Sequence, residues 1–194
     1  MTKRPIDRRV ARTRAMLHEA LISLIAEKGY ETITVEDVCE QANVGRSTFY
    51  AHYASKDDLM RSGLKNLRSA LFHQRKGASA PKPPEVRDFT FSLTMFEHAR
   101  DHMHLHRTLV GNRGGTIVFD TIRQMLSDLV RAELAPDVAK NTKDAVPREI
   151  VVQFLVGAYM AVMTWWLDHG AKLAPERMDA IFQRLANEGI TNLH

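Results

Sequence analysis

One apolar segment limits most strongly what this chain can fold into. Its sequence is IVVQFLVGAYMAVMTWWL, from Ile150 to Leu167, and nearly every position is hydrophobic. A helix that is apolar on all sides must be covered on all sides, by lipid or by protein. The segment only just reaches the length of a membrane span, and Gln153, Gly157 and Thr164 interrupt it. Because the sequence shows no second span and no basic flanking cluster, we predict a buried helix and no membrane association.

Covering such a helix in a soluble protein takes two surfaces. The chain's own domain can supply one, and a second copy of the chain can supply the other. The last helix begins near Pro175, a residue favoured in the first helical turn, and carries Met178, Ile181, Phe182 and Leu185 on one face. The two C-terminal helices, paired with their copies, therefore predict a four-helix bundle across a twofold axis and a homodimer.

Helical spacing recurs along the rest of the chain, and no alternating strand pattern stands out, so we predict an all-α fold. The first helix has an apolar face and Gly29 as its stop signal. Thr34 and Ser55 each precede a helix, and each has an aspartate three residues later, Asp37 and Asp58. This spacing predicts a capping box at each helix start.

Three prolines and a glycine in KGASAPKPP, Lys76 to Pro84, cannot continue a helix. We therefore place a domain boundary here, with residues 1–75 as one domain and residues 76–194 as the other. Asn112 to Gly115 predicts a further break in the chain, and Pro136 to Pro147 predicts a loop.

Composition is that of a soluble protein, with 44% hydrophobic and 26% charged residues. The single cysteine, Cys39, excludes an internal disulfide and suits a reducing cytoplasm, and its neighbours favour a small buried hydrophobe over a redox sensor. The net charge of +4 is modest, but the chain up to Arg14 is strongly basic. Such an arm is typical either of contact with a phosphate backbone or of a solvated terminus.

The segment from Thr34 to Leu59 has the pattern of a helix-turn-helix. Asn43 stands where the chain must turn, and asparagine tolerates the left-handed conformation better than most residues. Val44 follows as the apolar plug between two helices, and Phe49 and Tyr53 are spaced to face the core. The second helix of such a motif enters a DNA major groove with its first residues against base edges.

This segment strongly resembles the TetR family of transcriptional regulators. The residues that carry the resemblance are Gly29, Tyr30, Ile33, Thr34, Val35, Asp37, Val38, Ala42, Val44, Gly45, Arg46, Ser47, Thr48, Phe49, Tyr50, His52, Tyr53, Ser55, Lys56 and Leu59. Two positions depart from the family pattern: Asn43 replaces the usual glycine, and Gly45 stands where a serine often caps the helix. The rest of the chain resembles the family only in layout, which implies a helical ligand-binding and dimerisation domain after the three-helix DNA-binding domain.

Chemistry and the resemblance together predict a double-stranded DNA operator as partner. Arg46 can form a bidentate pair with guanine, and Ser47 can donate to or accept from a base edge. The resemblance implies phosphate contacts for Thr34, Thr48, Tyr50, His52 and Lys56, which set register without reading sequence. Taken singly, Arg46 and Lys56 could equally be solvated charges.

Methionines and aromatic side chains are abundant after the predicted boundary. They pack well around adaptable pockets and equally well in ordinary cores. The family layout implies that some of them line a cavity for an apolar small-molecule effector. The predicted ligand-binding residues are Phe89, Phe96, Met103, Phe119, Met125, Met160 and Trp165. The chain is therefore predicted to be a repressor that binds a palindromic operator as a dimer and leaves it when the effector binds.

Two alternatives remain open at this stage. His98, His102 and His106 are four residues apart, and one helical stripe of imidazoles could bind a transition metal or respond to pH. A polar surface face explains them too, and since no further ligand completes a site we predict no bound metal. A helix-turn-helix adaptor that binds only protein is the second alternative. We find no nucleophile elbow, phosphate loop or supported carboxylate pair, so neither an enzyme nor a cofactor is predicted.

Overall fold

The structure is a computed structural model that describes residues 5–64, 67, 89–134 and 146–189, with side chains from residue 8 onward. No residue of these ranges lies in a β-strand, which confirms the all-α prediction. The helices are α1 (Pro5–Lys28), α2 (Val35–Gln41), α3 (Arg46–Tyr50), α4 (residues 56–64), α5 (Phe91–Asp101), α6 (Met103–Leu109), α7 (Arg113–Glu133), α8 (Arg148–Asp168) and α9 (Pro175–Glu188). A 3-10 turn, Tyr30–Thr32, connects α1 to α2.

The chain divides into two compact units. Unit 1 combines Met1–Leu67 with His104–Thr121, and unit 2 combines Arg68–Met103 with Ile122–His194. Each unit is therefore built from two separate stretches of sequence. The predicted boundary between residues 75 and 76, the proline-rich segment around it and residues 136–145 of the predicted loop lie outside the described residues.

Unit 1 has an apolar core that the helix-turn-helix shares with more distant residues. The members from α1 to α4 are Leu17, Ala20, Leu21, Leu24, Ile25, Tyr30, Ile33, Val38, Cys39, Ala42, Phe49, Tyr53 and Leu59. Leu105, Leu109 and Ile117 of the second stretch complete the same core. Sequence periodicity placed Val38, Phe49 and Tyr53 correctly, but it gave no indication that residues 104–121 belong with them.

The turn between α2 and α3 has the predicted left-handed residue. Asn43 has φ 51°, and Gly29, which ends α1, has φ 75°. Thr34 and Asp37 form the predicted capping box, in which each side chain binds the other residue's backbone N–H. At the start of α4 the Asp58 N–H donates to Ser55 Oγ at 3.2 Å, as predicted. The Asp58 carboxylate, however, accepts from the N–H of residue 54 rather than from that of Ser55.

Unit 2 is held by contacts of α5 with α8 and α9. Its interior contains aromatic rings in edge-to-face and tilted pairs, for example Phe96 with Trp166 at 5.4 Å and Tyr159 with Phe182 at 4.9 Å between ring centroids. Such pairs add to the stability that burial alone provides. The side-chain amide of Gln183 binds both the N–H and the C=O of Phe89, at 3.2 and 3.0 Å, and so fixes the residue that leads into α5.

Helix α8 is buried on one side only. Val152, Tyr159, Met163 and Trp166 lie in the core, whereas the exposed large side chains are Ile150, Phe154 and Trp165, at 59%, 67% and 54% exposure. By length and composition alone this helix could cross a membrane, and 44% of its most apolar 18-residue stretch is buried in the protein. The core helix of a soluble protein can have the same length and hydropathy. The exposed positions follow helical spacing and make one apolar stripe.

One predicted break needs a correction. The chain does turn after α6, but α7 begins at Arg113, so Gly114 and Gly115 lie in its first turn rather than in a loop. A Cβ atom built on Gly114 would lie 2.6 Å from Cγ of Tyr30, and one on Gly115 would meet the carbonyl oxygen of Leu109. The glycines therefore permit close packing and do not interrupt the helix.

The left-handed turn yields a stability prediction. Replacing Asn43 by valine should lower the free energy of unfolding by about 1–2 kcal/mol, because a β-branched side chain is disfavoured at positive φ. Replacing it by glycine should change the free energy by a few tenths of a kcal/mol at most. Urea unfolding followed by circular dichroism measures both. Gln41→Val, at an exposed position of α2, is the control for a β-branched residue in an ordinary helix. Equal losses for Asn43→Val and Gln41→Val would contradict a conformational role of Asn43.

Candidate nucleic-acid interface

The first residues of α3 point into solvent. Gly45 caps the helix in an extended conformation, φ −71° and ψ 151°, and makes no side-chain cap bond. Arg46 and Ser47 follow and are exposed, and Thr48 is half-buried. Tyr50, at the other end of this short helix, is 53% exposed. The arrangement leaves hydrogen-bonding groups at the tip of α3 accessible to another molecule.

The opposite side of α3 is fixed in the core. Phe49 is fully buried and Tyr53 is 5% exposed. Their ring centroids lie 5.9 Å apart, and Tyr53 also meets the ring of His18 from α1 at 5.9 Å. His52 lies half-buried beside Tyr53, with the ring centroids 6.3 Å apart. Rigid attachment of one face is what a helix needs in order to present the other in a fixed orientation.

A shallow open depression of about 430 Å³ lies beside this tip, between α2 and α3. Its lining residues are Glu36, Cys39, Glu40, Asn43, Val44, Gly45 and Arg46. Cys39 is 5% exposed, and burial raises the pKa of its thiol, although the charge of Arg46 acts in the opposite direction. A thiol of raised pKa is a poor nucleophile, so the structure supports its interpretation as a buried hydrophobe.

Thr34 lies at the exposed start of α2, and its hydroxyl is engaged in the capping box. It accepts from the Asp37 N–H at 3.1 Å and donates to the Asp37 carboxylate at 2.7 Å. The same carboxylate forms an ion pair with Lys28 at 2.8 Å. The hydrogen bond from Lys28, followed by those from Thr34, holds the pKa of Asp37 well below its usual range. The sequence placed Thr34 correctly at the helix start.

Lys56 does not project freely into solvent. Its ammonium group donates to the carbonyl oxygens of Tyr30, Glu31 and Ile33, at 2.8, 3.3 and 2.7 Å. It also lies 4.5 Å from the centroid of the Tyr30 ring. A lysine ammonium has three N–H donors, and here each has a backbone partner. The phosphate contact remains a prediction, but the geometry supports a structural role in which Lys56 joins the start of α4 to the turn before α2.

The predicted ligand-binding residues divide between the two units. Phe89, Phe96, Met125 and Met160 are buried in unit 2, and Met103 is half-buried at the start of α6. The structure brings Phe96 into contact with two core rings, those of Tyr159 and Trp166. Burial of this kind fits both a core and a site that opens around a ligand.

Two members of that set, Phe119 and Trp165, do not lie in the core of unit 2. Phe119 belongs to unit 1, where its ring is 6.3 Å from that of His106. Trp165 is exposed on α8 and stacks on His169, with 4.5 Å between the ring centroids. The sequence could not separate these residues from the others, because apolar composition alone does not tell which face of a helix a side chain occupies.

The histidines do not form one helical stripe. Helix α5 ends at Asp101, and His102 caps it with φ −107°, so the predicted regular spacing is broken there. The rings of His98 and His102 lie together, with 4.2 Å between their centroids. Burial lowers the pKa of His98 to about 4, and the charge of the nearby His102 contributes to a smaller extent. His106 belongs to unit 1. Within the described residues no three His, Cys, Asp or Glu side chains are grouped so as to hold a metal ion.

Comparison with protein families identifies the chain. Residues 17–62 match the family described as bacterial regulatory proteins, tetR family, and residues 89–188 match a transcriptional regulator C-terminal region. The second match alone covers more than half of the chain. The chain belongs to the TetR family of transcriptional regulators. This is a family of regulators and not of enzymes, which agrees with the prediction from sequence.

Individual relatives agree with this assignment. The chain is 25% identical over 175 residues to YxbF of Bacillus subtilis, an uncharacterised HTH-type transcriptional regulator; the match covers 90% of this chain and 44% of YxbF. It is 33% identical over 45 residues to IcaR of Staphylococcus epidermidis, a negative regulator of a biofilm operon, over 23% of this chain and 24% of IcaR. The matched regions thus span less than half the length of either relative.

A solved structure shows the same architecture. The TetR transcriptional regulator from Streptococcus agalactiae is 27% identical and superposes with a TM-score of 0.62. The superposition covers 93% of this chain and 97% of that protein. The all-α fold with an N-terminal helix-turn-helix is therefore the fold of the family.

The contacts of Lys56 predict a loss of stability on its removal. Lys56→Met should lower the free energy of unfolding by about 2 kcal/mol, because charge-assisted hydrogen bonds to three carbonyls are lost. Lys172→Met, at an exposed lysine, is the control and should leave stability unchanged. If Lys56 instead contacts a phosphate, its removal should reduce the slope of log affinity for duplex DNA against log salt by about 0.9 for each subunit bound. An unchanged unfolding midpoint together with a reduced slope would contradict the structural role.

Proposed function

We propose that this chain is a homodimeric DNA-binding repressor that a small molecule releases from its operator. The observation that carries the proposal is the tip of α3: Arg46 and Ser47 are exposed while Phe49 of the same helix is fully buried. A guanidinium at the first turn of a fixed helix can reach the O6 and N7 atoms of a guanine in the major groove. The family assignment and the negative regulator IcaR among the relatives support repression.

Phosphate contacts complete the proposed interface. The proposed contacts are Thr34 at the start of α2, Thr48 and Tyr50 on α3, and His52 just after it, all with hydroxyl or ring N–H groups. Tyr50 is the most exposed of the large hydrophobic residues in this region, at 53%. Such contacts would fix the register of α3 on the duplex. We assign DNA binding to the N-terminal domain, predicted as residues 1–75, and effector binding and dimerisation to residues 76–194. A regulator of this kind acts in the cytoplasm, where the DNA is.

The apolar stripe on α8 supports the homodimer. Ile150, Phe154 and Trp165 are exposed on one side of the helix in the single chain. Gly157 lies between them, and a Cβ atom on it would meet nothing within 4 Å. Small residues between large ones allow two helices to approach closely. Two copies joined through α8 and α9 would present two α3 helices, which must be about 34–36 Å apart to meet successive major-groove turns.

The effector is proposed to be an apolar small molecule bound within unit 2. Met125 and Met160 are buried there, and methionine adapts its packing to irregular ligands. An effector that binds better to a conformation with a different separation of the α3 helices would shift the population away from the DNA-bound form. The coupling is reciprocal, so the operator would weaken effector binding by the same factor.

Sequence reading by Arg46 is directly testable. Duplexes selected from random sequences provide an operator, and a scrambled duplex provides the reference. Arg46→Ala should weaken operator binding by about 1–3 kcal/mol per half-site and leave scrambled binding nearly unchanged. Arg107→Ala removes an equal charge from an exposed position of unit 1 and should preserve the preference for the operator. Equal losses on both duplexes for Arg46→Ala would exclude a reading role.

Dimerisation through α8 predicts a second result. Phe154→Glu should weaken the dimer on the order of 10³-fold, since burial of a phenylalanine contributes about 2 kcal/mol and each dimer loses two. Gln124→Glu, at an exposed position of α7, is the control and should leave the dimer intact. Analytical ultracentrifugation measures the association, and circular dichroism checks that the helices persist. A Phe154→Glu protein that remains dimeric at the wild-type concentration would place the interface elsewhere.

A further inference from the structure

We propose that Arg113 is a positioning residue for DNA binding, because it holds both ends of the helix-turn-helix to the start of α7. This inference rests on the proposed function. Arg113 lies far along the chain from α3, but it belongs to the second stretch of unit 1. Its side chain contacts the segment that follows α3, and its backbone contacts the segment that precedes α2.

The first contact is at the end of the helix-turn-helix. The guanidinium of Arg113 donates to the Asp57 carboxylate through Nε at 3.1 Å and Nη2 at 2.6 Å. Asp57 lies in the first turn of α4, only a short loop after α3. Burial acts to raise the pKa of Asp57, but the hydrogen bonds from Tyr30 and Arg113 outweigh it and hold the pKa below its usual value. The carboxylate is therefore charged at neutral pH.

The second contact is at the start of the helix-turn-helix. The backbone N–H of Arg113 donates to Glu31 Oε1 at 2.7 Å. Glu31 lies in the 3-10 turn just before α2. An N–H in the first turn of a helix has no partner within that helix, so a carboxylate from the turn satisfies it. One residue of α7 thus reaches both flanks of the motif.

The two flanks are also joined to each other. The Tyr30 hydroxyl donates to Asp57, and Lys56 binds the carbonyl oxygens around Tyr30. Gly114, next to Arg113, lies against the Tyr30 ring so closely that a Cβ atom would stand 2.6 Å from its Cγ. The start of α7 is therefore packed onto the same tyrosine that connects the two flanks, and the arrangement leaves little freedom for α2 and α3 to rotate.

The exposure of Arg113 distinguishes positioning from simple stabilisation. Its side chain is 67% exposed, whereas that of Asp57 is 13% exposed. An ion pair with one partner in solvent adds little to the stability of the fold. Its geometric effect is larger than its energetic one, because two N–H donors of one planar group converge on Asp57 Oδ2 and so fix direction as well as distance. Loss of Arg113 should therefore loosen the orientation of α3 without unfolding unit 1.

The test compares Arg113→Gln with Arg107→Gln, which removes the same charge from an exposed position of the same unit. Arg113→Gln should bind the selected operator about five- to tenfold more weakly, because preorganisation of α3 is lost in both copies of unit 1. The scrambled duplex, which is bound through phosphates, should lose less. The melting temperature and the slope of log affinity against log salt should stay as in wild type. Arg113→Lys, which keeps the charge but not the fork, should lie between the two.

Three results would overturn the proposal. The first is an Arg113→Gln affinity equal to that of Arg107→Gln. The second is a salt slope reduced by about 0.9 for each subunit bound, which would make Arg113 itself a phosphate contact. The third is a fall in melting temperature that accounts for the loss. Asp57→Asn supplies an independent variant: the double variant with Arg113→Gln should bind no more weakly than the weaker of the two single variants, and additive losses would contradict a shared role. Wild-type protein that binds no duplex would instead refute the proposed function.

Discussion

A helix of five residues cannot hold its own shape in water, and α3 has only five. Isolated helices need roughly 12–15 residues to be even marginally stable. The conformation of α3 therefore depends on burial of Phe49, which lies on the side away from Arg46 and Ser47 and is fully enclosed by the core of unit 1. Everything that the tip of α3 could do with a ligand follows from this one anchored ring.

The buried Phe49 ring fixes how close α3 lies to the core better than it fixes the rotation of α3 about its own axis. Rotation is limited by what holds the chain on either side, and here both sides are held by charged groups on backbone or carboxylate partners. Lys56 joins the start of α4 to the turn before α2, and Arg113 joins both to α7. Unit 1 is consequently more than a contiguous N-terminal domain, because Leu105, Leu109 and Ile117 also complete its core.

Local features of unit 1 could be predicted from sequence, whereas its long-range contacts could not. The left-handed Asn43, the Thr34 capping box and the inward direction of Phe49 and Tyr53 depend on residues within one turn of each other. The partners of Lys56 lie 23 to 26 residues away, and Arg113 is 56 residues from Asp57. In sequence, such side chains are indistinguishable from solvated charges. The pair Gly114–Gly115 shows the same limit, since a glycine pair signals a break, but here close packing on Tyr30 and Leu109 explains it. The end of α5 at His102 was not predictable either, because no proline or glycine stands beside it in the sequence.

The apolar segment of α8 and the short α3 are connected by the requirements of recognition. A single five-residue helix offers few base contacts, and a second copy doubles them only if the two are held at a fixed separation. A stripe that contains Ile150, Phe154 and Trp165 is costly to leave in water on one chain, since each large side chain contributes roughly 1.5–3 kcal/mol when it is buried. The exposed residues that left the segment ambiguous between a membrane span and a buried helix thus support the proposed dimer, in which two copies of unit 1 would be held at a fixed separation. A rigid connection from each α3 to its own core, through Phe49, Lys56 and Arg113, is what would make that separation matter at the DNA.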